Sequence, residues 1–248
     1  MFKMAVKKLA RRCGLNEPIP VIPQQPQLDR KFIATCFLSG EGIEVGALHN
    51  PLALPPGVKV KYVDRLSVDD LRKHYPELSQ HTLVPLDILA DGERLETVAE
   101  ASQDFAIANH FIEHCRNPFM ALKNFLRVLK PKGVLYLAVP DKRYTFDKDR
   151  PITPVEHLLR DFEEGPDWSR EAHFEEWVRS VDKVQSEDAV RESKTSLMSM
   201  DYSIHYHVWT TLDFFETLTW FQRKVEPGFN VELFLQHEDE MIFIIRKK

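Results

Sequence analysis

The sequence predicts an α/β fold in which helices cover both faces of a mostly parallel β-sheet. Residues 134–139 are apolar at every position, which indicates a strand that is covered on both sides, as in parallel sheets. An earlier apolar run of strand length lies at 104–108, and between the two runs apolar residues recur at steps of three and four over 119–129. That spacing is one face of a helix. Strands that alternate with helices in this way are typical of α/β sheets.

The other elements continue the alternation. Towards the N-terminus, the sequence predicts a helix at 32–38, a strand at 42–46, a strand at 58–63, a helix at 67–74 and a third strand at 82–86. Beyond residue 139 it predicts polar helices over 153–200, an amphipathic helix at 210–222, and strands at 231–235 and 241–245. Polar residues separate the last two strands and predict an antiparallel hairpin.

We predict one domain over residues 29–248, with a helical lid insertion at about 144–209. It follows a basic segment and a proline-rich linker over residues 1–28, since proline fixes φ and removes hydrogen-bond donors. The basic segment is interpreted as a short terminal helix with a solvated face. The alternative is a segment that makes weak contact with a membrane surface or a partner.

Composition is that of an ordinary globular protein and argues against several classes of function. Of the 248 residues, 43% are hydrophobic and 29% are charged, which is usual for folded domains. The net charge of −5 argues against a nucleic-acid partner, because binding phosphates needs clustered cations. The three cysteines form no CxxC pair, which favours the reducing cytoplasm. No apolar run approaches the roughly 20 residues of a membrane span.

Polar residues follow several of the predicted strands, where the chemistry of parallel sheets is found. Glu44 and Gly46 end the first strand, and Asp64 ends the second about 20 residues later. In dinucleotide-binding folds, an acidic residue at that distance binds ribose hydroxyls; the alternative for Asp64 is a cap of the following helix. Asn109 and His110 follow the strand at 104–108.

Several of these features together resemble class I S-adenosylmethionine-dependent methyltransferases. They are the Glu44-x-Gly46 turn, the Glu113-His114 pair, and the run RVLKPKG at 127–133 before an apolar strand. The resemblance covers about residues 40–150, and PDKRYTFD at 140–147 resembles one bacterial group, the methyltransferase type 11-like proteins. It implies a doubly wound, Rossmann-like, seven-stranded sheet with an antiparallel hairpin at its end. It also implies S-adenosylmethionine as the cofactor.

The resemblance also implies roles for residues at the strand ends. The expected cofactor-binding residues are Glu44, Gly46, Ala47, Leu48, Asp64, Asp87, Ile88 and Asn109. Leu48 stands where the family's first motif often has a second glycine, which is a departure from the pattern. For Asp87, the adenine-binding role and a plain turn residue are both open.

We expect His110 or Asp141 to act as a catalytic base. Arg143 and Arg150 are candidates for holding an anionic group of the substrate, and the aromatic side chains of His205 and Trp209 are candidates for stacking on it. His205 shares one strand face with His207, but no third ligand is evident in the sequence. We therefore predict no metal site.

The sequence thus predicts an S-adenosylmethionine-dependent methyltransferase, and the charged, aromatic lid insertion favours O-methylation of a small molecule or glycan, at a hydroxyl or a carboxylate. Two alternatives remain open. One is an N- or C-methyltransferase of the same fold, and the other is a catalytically degenerate domain that binds a partner.

Overall fold

The structure is a computed structural model, and it describes residues 28–248. The basic segment and nearly all of the proline-rich linker predicted over 1–28 lie outside the described residues. Among residues 28–248, no helix is both long and apolar enough to cross a membrane.

A seven-stranded sheet forms the centre of the molecule. Its strands are β1 Glu41–Val45, β2 Lys59–Asp64, β3 Ile88–Leu89, β4 Gln103–Asn109, β5 Leu129–Pro140, β6 Phe229–His237 and β7 Glu240–Lys247. Their spatial order is β3-β2-β1-β4-β5-β7-β6. The pairs among β1 to β5 are parallel, whereas β7 runs antiparallel to both β5 and β6. The predicted fold class and the C-terminal hairpin are confirmed.

Helices cover both faces of the sheet and form the lid insertion. They are α1 Arg30–Phe37, α2 Val68–His74, α3 Pro118–Val128, α4 Val155–Glu164, α5 Arg170–Ser180, α6 Glu187–Ser199 and α7 Thr211–Lys224. Helices α4 to α6 lie in sequence between β5 and α7, and the segment after α6 packs Ile204 and Tyr206 against Phe174. This segment returns the chain to the sheet.

Helix α3 shows how the local sequence determines where a helix begins and which face it buries. The side chain of Asn117 accepts a hydrogen bond of 3.0 Å from the backbone N–H of Met120, and Pro118 occupies the first turn, where its missing N–H costs nothing. The buried Phe119 and Phe125 face the sheet. Strand β5 begins at Leu129 directly after the helix, so it is longer than the apolar run at 134–139 that predicted it.

The third strand is the main error of the sequence analysis. Residues 82–86 form no strand, and β3 consists only of Ile88–Leu89. Pro85 lacks the N–H that a ladder requires, and the N–H of Val84 donates to the carbonyl of Leu48, in the loop after β1, rather than to β2. The polar residues beyond β3 therefore lie further along the chain than predicted.

The core lies on both faces of the sheet. One face packs against α3 and α7 through a cluster that includes Phe119, Phe125, Phe214, Phe221 and Phe243. The other face packs against α1 through Ile33, Ala34, Phe105, Tyr136 and Ile244. With both faces covered, the carboxyl ends of the strands are the accessible edge at which a ligand can bind.

Candidate active site

A cavity of about 410 Å³ opens at the carboxyl ends of β1, β2 and β4. On one side it is lined by Gly46, Leu48 and Asp64, which follow or end β1 and β2. On the other side it is lined by His110 after β4 and by Tyr206 of the lid insertion. Its volume is in the range of sites for small ligands and cofactors.

The loop after β1 makes a tight turn without a second glycine. Gly46 has φ of 65°, and Leu48 has φ of 50°, in the left-handed region that non-glycine residues rarely adopt. Such strain costs on the order of 1–3 kcal/mol. Leu48 thus takes the type of backbone conformation that glycine adopts readily, and its side chain lines the cavity.

Asp64 lies at the end of β2 with its carboxylate at the cavity wall. Its Oδ1 accepts a hydrogen bond of 3.1 Å from the N–H of Leu66. Burial raises the pKa of Asp64, against the lowering effect of the backbone N–H donors and of Arg65. The carboxylate is therefore a partly desolvated acceptor, suited to pairs of hydroxyl donors.

The cavity wall beside Asp64 comes from residues that the sequence analysis missed. Asp91, Gly92 and Glu93 follow β3 and line the cavity. A Cβ atom at Gly92 would lie 2.5 Å from Val45 Cγ1 and 2.5 Å from Phe111 Cζ, so this close approach requires glycine. In the sequence, the Asp-Gly pair after a short apolar run could have indicated this part of the wall. We overlooked it because we placed the third strand at 82–86, too early in the chain.

Asp87 and Ile88 lie outside the cavity. Asp87 Oδ2 accepts a hydrogen bond of 2.8 Å from the N–H of Tyr62, and Ile88 pairs with Val63 in the sheet. Both residues fix the edge strand. Neither Asp87, for which adenine binding and a plain turn were both open, nor Ile88 lines the cavity.

Glu44 and Ala47 also lie behind the cavity wall. Both oxygens of the buried Glu44 carboxyl accept from the N–H of Leu52, at 2.9 and 3.2 Å, and burial raises the pKa of Glu44 to about 7. The carbonyl of Ala47 accepts a hydrogen bond from Asn50. These residues shape the loop after β1 without lining the cavity.

Asn109 ends β4, and neither polar atom of its buried side-chain amide has a hydrogen-bond partner among residues 28–248. A buried amide without partners is costly. Asn109 directly precedes the cavity residue His110, but it does not itself line the cavity.

His110 connects the cavity to two buried carboxyl groups. Its Nε2 lies 2.9 Å from Oε2 of Glu240, the first residue of β7, and its Nδ1 lies 3.8 Å from Oε1 of Glu113. Burial acts to lower the pKa of His110, but the hydrogen bond to Glu240 and the charge of Glu113 outweigh it, and the pKa is raised above 6.5. Glu240 also pairs with Arg30 of α1.

Asp141 and Arg143 form a structural pair away from the cavity. Asp141 is fully buried and accepts hydrogen bonds from Arg143 Nε at 2.9 Å and Nη2 at 2.6 Å, and from the N–H and hydroxyl of Thr211 at 3.2 and 2.9 Å. Burial acts to raise the pKa of Asp141, but these donors lower it below its usual value. The Asp141 carboxylate therefore links the end of β5 to α7. Both of its oxygens already accept hydrogen bonds, so neither is available to act as a base.

Arg150, His205 and Trp209 likewise lie in the interior. Arg150 is 1% exposed and donates to Asp147 at 2.8 Å and to Glu176 at 2.7 Å. His205 Nδ1 lies 2.6 Å from Asp147 Oδ2. Arg150 and His205 therefore stabilise the lid insertion, and Trp209 packs in the core against Phe214 of α7. Ser203 and Tyr206 line the cavity instead.

The lid insertion contacts the far side of the cavity through Arg65, the residue after Asp64. Arg65 Nη1 donates to Asp201 Oδ2 at 2.6 Å, and Nη2 donates to the carbonyl of Asp201 at 3.0 Å. Beside this contact, the rings of Tyr75 and Tyr202 meet edge to face at 5.7 Å. These contacts hold the segment after α6 across the cavity.

Asp201→Asn is expected to loosen this segment. The Arg65 pair is about half exposed, so the change should cost no more than about 1 kcal/mol, which corresponds to roughly fivefold faster local opening. Hydrogen exchange of residues 201–209 measures this opening. Asp188→Asn, which weakens the exposed pair with Arg191 on α6, is the matched control and should leave the exchange of residues 201–209 unchanged. Equal rates in the wild type and in Asp201→Asn would contradict the prediction.

A protein family matches more than half of the chain. A family model described as a methyltransferase domain matches residues 31–193 of the chain. No curated protein sequence matches.

Solved structures resemble the fold at low identity. A protein from Rhodobacter sphaeroides, described as a Zn-dependent alcohol dehydrogenase, is 14% identical with a TM-score of 0.54 over 91% of each chain. A SAM-dependent methyltransferase from Thermotoga maritima is 16% identical with a TM-score of 0.45, over 86% of this chain and 85% of its own. The CurJ carbon methyltransferase is 13% identical with a TM-score of 0.45; the match covers 84% of this chain and 48% of that one. This chain therefore spans about half the length of CurJ.

Proposed function

Since the chain belongs to the family of methyltransferase domains, we propose that it transfers a methyl group from S-adenosylmethionine to an oxygen atom of a small-molecule or glycan substrate. The observation that carries the proposal is the juxtaposition of Asp64 and His110 in one cavity. Asp64 offers a carboxylate suited to ribose hydroxyls, and His110 offers a nitrogen base at the acceptor side.

The residues present fit the cofactor. Asp64 would hold the ribose, and Asp91 would lie beside the adenosine part. Gly46 and Gly92 both line the cavity, and without side chains there the backbone is accessible to a ligand. When bound, S-adenosylmethionine supplies an electrophilic methyl group on a sulfonium ion. The protein contributes orientation and exclusion of water.

On the acceptor side, His110 is the candidate base. When neutral His110 donates its Nε2 proton to Glu240, its Nδ1 carries the lone pair and accepts the proton of the substrate hydroxyl. Glu240 keeps the ring in this orientation, as a carboxylate partner does for other histidine bases. Phe111, Ser203 and Tyr206 complete the wall around the acceptor. For a carboxylate acceptor no base is needed, and His110 would contribute only its charge.

The main rival is an oxidoreductase that binds a nicotinamide cofactor in a sheet of this type, because the R. sphaeroides protein is described as a Zn-dependent alcohol dehydrogenase. The dinucleotide-binding sheet has the order 3-2-1-4-5-6. Here β7 lies antiparallel between β5 and β6, which favours the methyltransferase. An N- or C-methyltransferase differs in the acceptor atom, and a degenerate domain would not bind the cofactor.

Isothermal titration with S-adenosylmethionine, S-adenosylhomocysteine and NAD tests the proposal. We expect micromolar binding of the first two ligands, about −8 kcal/mol, and none of NAD. Asp64→Ala should weaken that binding by about 10- to 100-fold, because hydrogen bonds to a charged group contribute roughly 1.5–3 kcal/mol. Asp87→Ala, at the carboxylate outside the cavity, is the control and should retain the affinity.

Binding of NAD alone would support the oxidoreductase, and binding of none of the three ligands would support the degenerate domain. Loss of affinity in Asp87→Ala rather than in Asp64→Ala would move the cofactor away from the cavity described above.

A further inference from the structure

Three histidines and one aspartate converge inside the lid insertion. His157 and Asp161 lie one turn apart on α4, His173 lies on α5, and His207 lies in the segment between α6 and α7. One ligand nitrogen of each histidine lies within 4.8 Å of the other two. His157 Nε2 is 3.0 Å from His173 Nε2 and 3.3 Å from Asp161 Oδ2, and His207 Nε2 is 3.6 Å from the same oxygen.

We propose that His157, Asp161, His173 and His207 bind one zinc ion. Zinc–ligand distances of about 2.0–2.2 Å place the ligand atoms of a tetrahedral site about 3.3–3.6 Å apart. The separations of 3.0, 3.3 and 3.6 Å lie around that value, so three of the six edges of such a site are already close to their expected length. The lid insertion contributes every ligand.

Hydrogen bonding within the cluster leaves several of its atoms unsatisfied. Asp161 and His207 are fully buried. Within the described part of the chain, Asp161 Oδ2 and both ring nitrogens of His207 have no hydrogen-bond partner. A buried carboxylate oxygen and a buried imidazole without partners are each costly. A cation between them would satisfy both.

The chemistry of the side chains suits a metal. Three imidazoles and one carboxylate match the ligands of zinc.

The surroundings indicate a structural site. Four protein ligands leave no open coordination position for a substrate. The hydroxyl of Ser169 donates to Asp161 Oδ1 at 3.3 Å, which orients the carboxylate as outer partners of metal ligands do. Trp168 packs on His157, and Tyr206 packs edge to face on His173. The ion would join α4, α5 and the segment that carries Tyr206 into the cavity.

This proposal replaces the expectation of no metal site. The sequence analysis found only His205 and His207, two residues apart, without a third ligand. The ligands proposed here are spread over 51 positions, from 157 to 207, and only the packing of α4 against α5 and the segment after α6 brings them together.

A second cluster provides an internal control. Glu113, His114 and His205 also have potential ligand atoms within 4.8 Å of one another. Here, however, His205 Nδ1 is 2.6 Å from Asp147, and His114 Nδ1 is 3.0 Å from the carbonyl of Ile204. Both histidines of this cluster therefore have hydrogen-bond partners outside it, whereas the hydrogen bond between His157 and His173 lies within the first cluster. Among residues 28–248, the Glu113 oxygens lack partners, as Asp161 Oδ2 does.

The test is the metal content of the full chain, purified without a histidine tag from cells grown with added zinc and measured by mass spectrometry. We expect about one zinc ion per chain. Asp161→Asn and His173→Gln, which nearly preserve the side-chain volume, should lower the content at least fivefold. His205→Gln, the matched change in the second cluster, should retain it. Removal of zinc by a chelator should lower the Tm by about 5 °C or more, and added zinc should restore it.

Protein that contains no zinc, and whose Tm does not respond to added zinc, would overturn the proposal. So would loss of zinc in His205→Gln with retention in His173→Gln, because the ion would then belong to the second cluster. If a variant does not fold, a cobalt-substituted wild-type protein provides the independent measurement. The absorption of tetrahedral cobalt supports the site, and an octahedral spectrum contradicts it.

Discussion

His110→Gln is expected to lower kcat for a hydroxyl acceptor by about 10²- to 10⁴-fold, the usual contribution of a positioned general base. Glutamine can accept a hydrogen bond, but it cannot take up the proton of the acceptor. The assay follows formation of S-adenosylhomocysteine with acceptors found by screening. His81→Gln, at an exposed histidine, is the control and should leave kcat unchanged.

The pH dependence of the rate is a second test of His110 as the base. The wild-type rate should rise with pH until His110 is neutral, at a pKa above 6.5. Glu240 raises that pKa, so Glu240→Gln should move the ascending limb of the profile to lower pH. Glu113 also raises the pKa of His110, and Arg30 lowers it. A variant at His110 that keeps full activity and the same profile would contradict the role of base and would favour a nitrogen, carbon or carboxylate acceptor.

His110 should also affect the pH dependence of stability, which can be measured without a methyl acceptor. Because the pKa of His110 is raised on folding, its contribution to stability is fully present below 6.5, the usual value. The contribution is lost as pH rises through the folded pKa. His110→Gln should therefore flatten the dependence of Tm on pH above 6.5.

Arg150→Ala is expected to lower the free energy of unfolding by about 3–5 kcal/mol, because it breaks a buried ion pair and leaves charge behind. Asp147 would keep only His205 as an ionic partner, and Glu176 would lose its contact. Arg150 also lies over the ring of Trp177 at 5.8 Å, so packing is lost as well. Urea denaturation followed by fluorescence measures the change.

The exposed Arg191 of α6, 73% accessible in its side chain, supplies the control. Arg191→Ala should change the free energy of unfolding by no more than about 0.5 kcal/mol. If Arg150→Ala instead kept wild-type stability and lost affinity for an anionic acceptor, the substrate-binding role expected from the sequence would be supported.

Periodicity predicted the elements that determine the fold. Helix α3 and strand β5 were recognisable because apolar spacing reflects which face is buried, and the hairpin of β6 and β7 because polar residues interrupt two apolar runs. Strand β3 was misplaced because two paired residues leave no periodic pattern. Short edge strands depend on their neighbours for their structure.

The site was predictable where the backbone alone positions the residue. Gly46, Leu48, Asp64 and His110 stand at strand ends, and the order of the strands brings them to one cavity. Side chains such as Asp141 and Arg150 were misjudged because a charged residue in a loop has the same sequence pattern whether it meets substrate or a buried partner. Only tertiary contacts distinguish the two cases.

The contacts of Glu240 affect the order in which the parts of the site can form during protein synthesis. Glu240 lies 130 positions after His110 and 210 positions after Arg30, and it contacts both side chains. During synthesis, a ribosome must therefore add β7 before the imidazole can acquire the carboxylate that orients it. The cofactor side of the cavity, built from β1 to β4, is made much earlier. A nascent chain could thus have the pocket that we propose for the nucleoside well before the proposed base is oriented, which would tie activity to completion of the sheet.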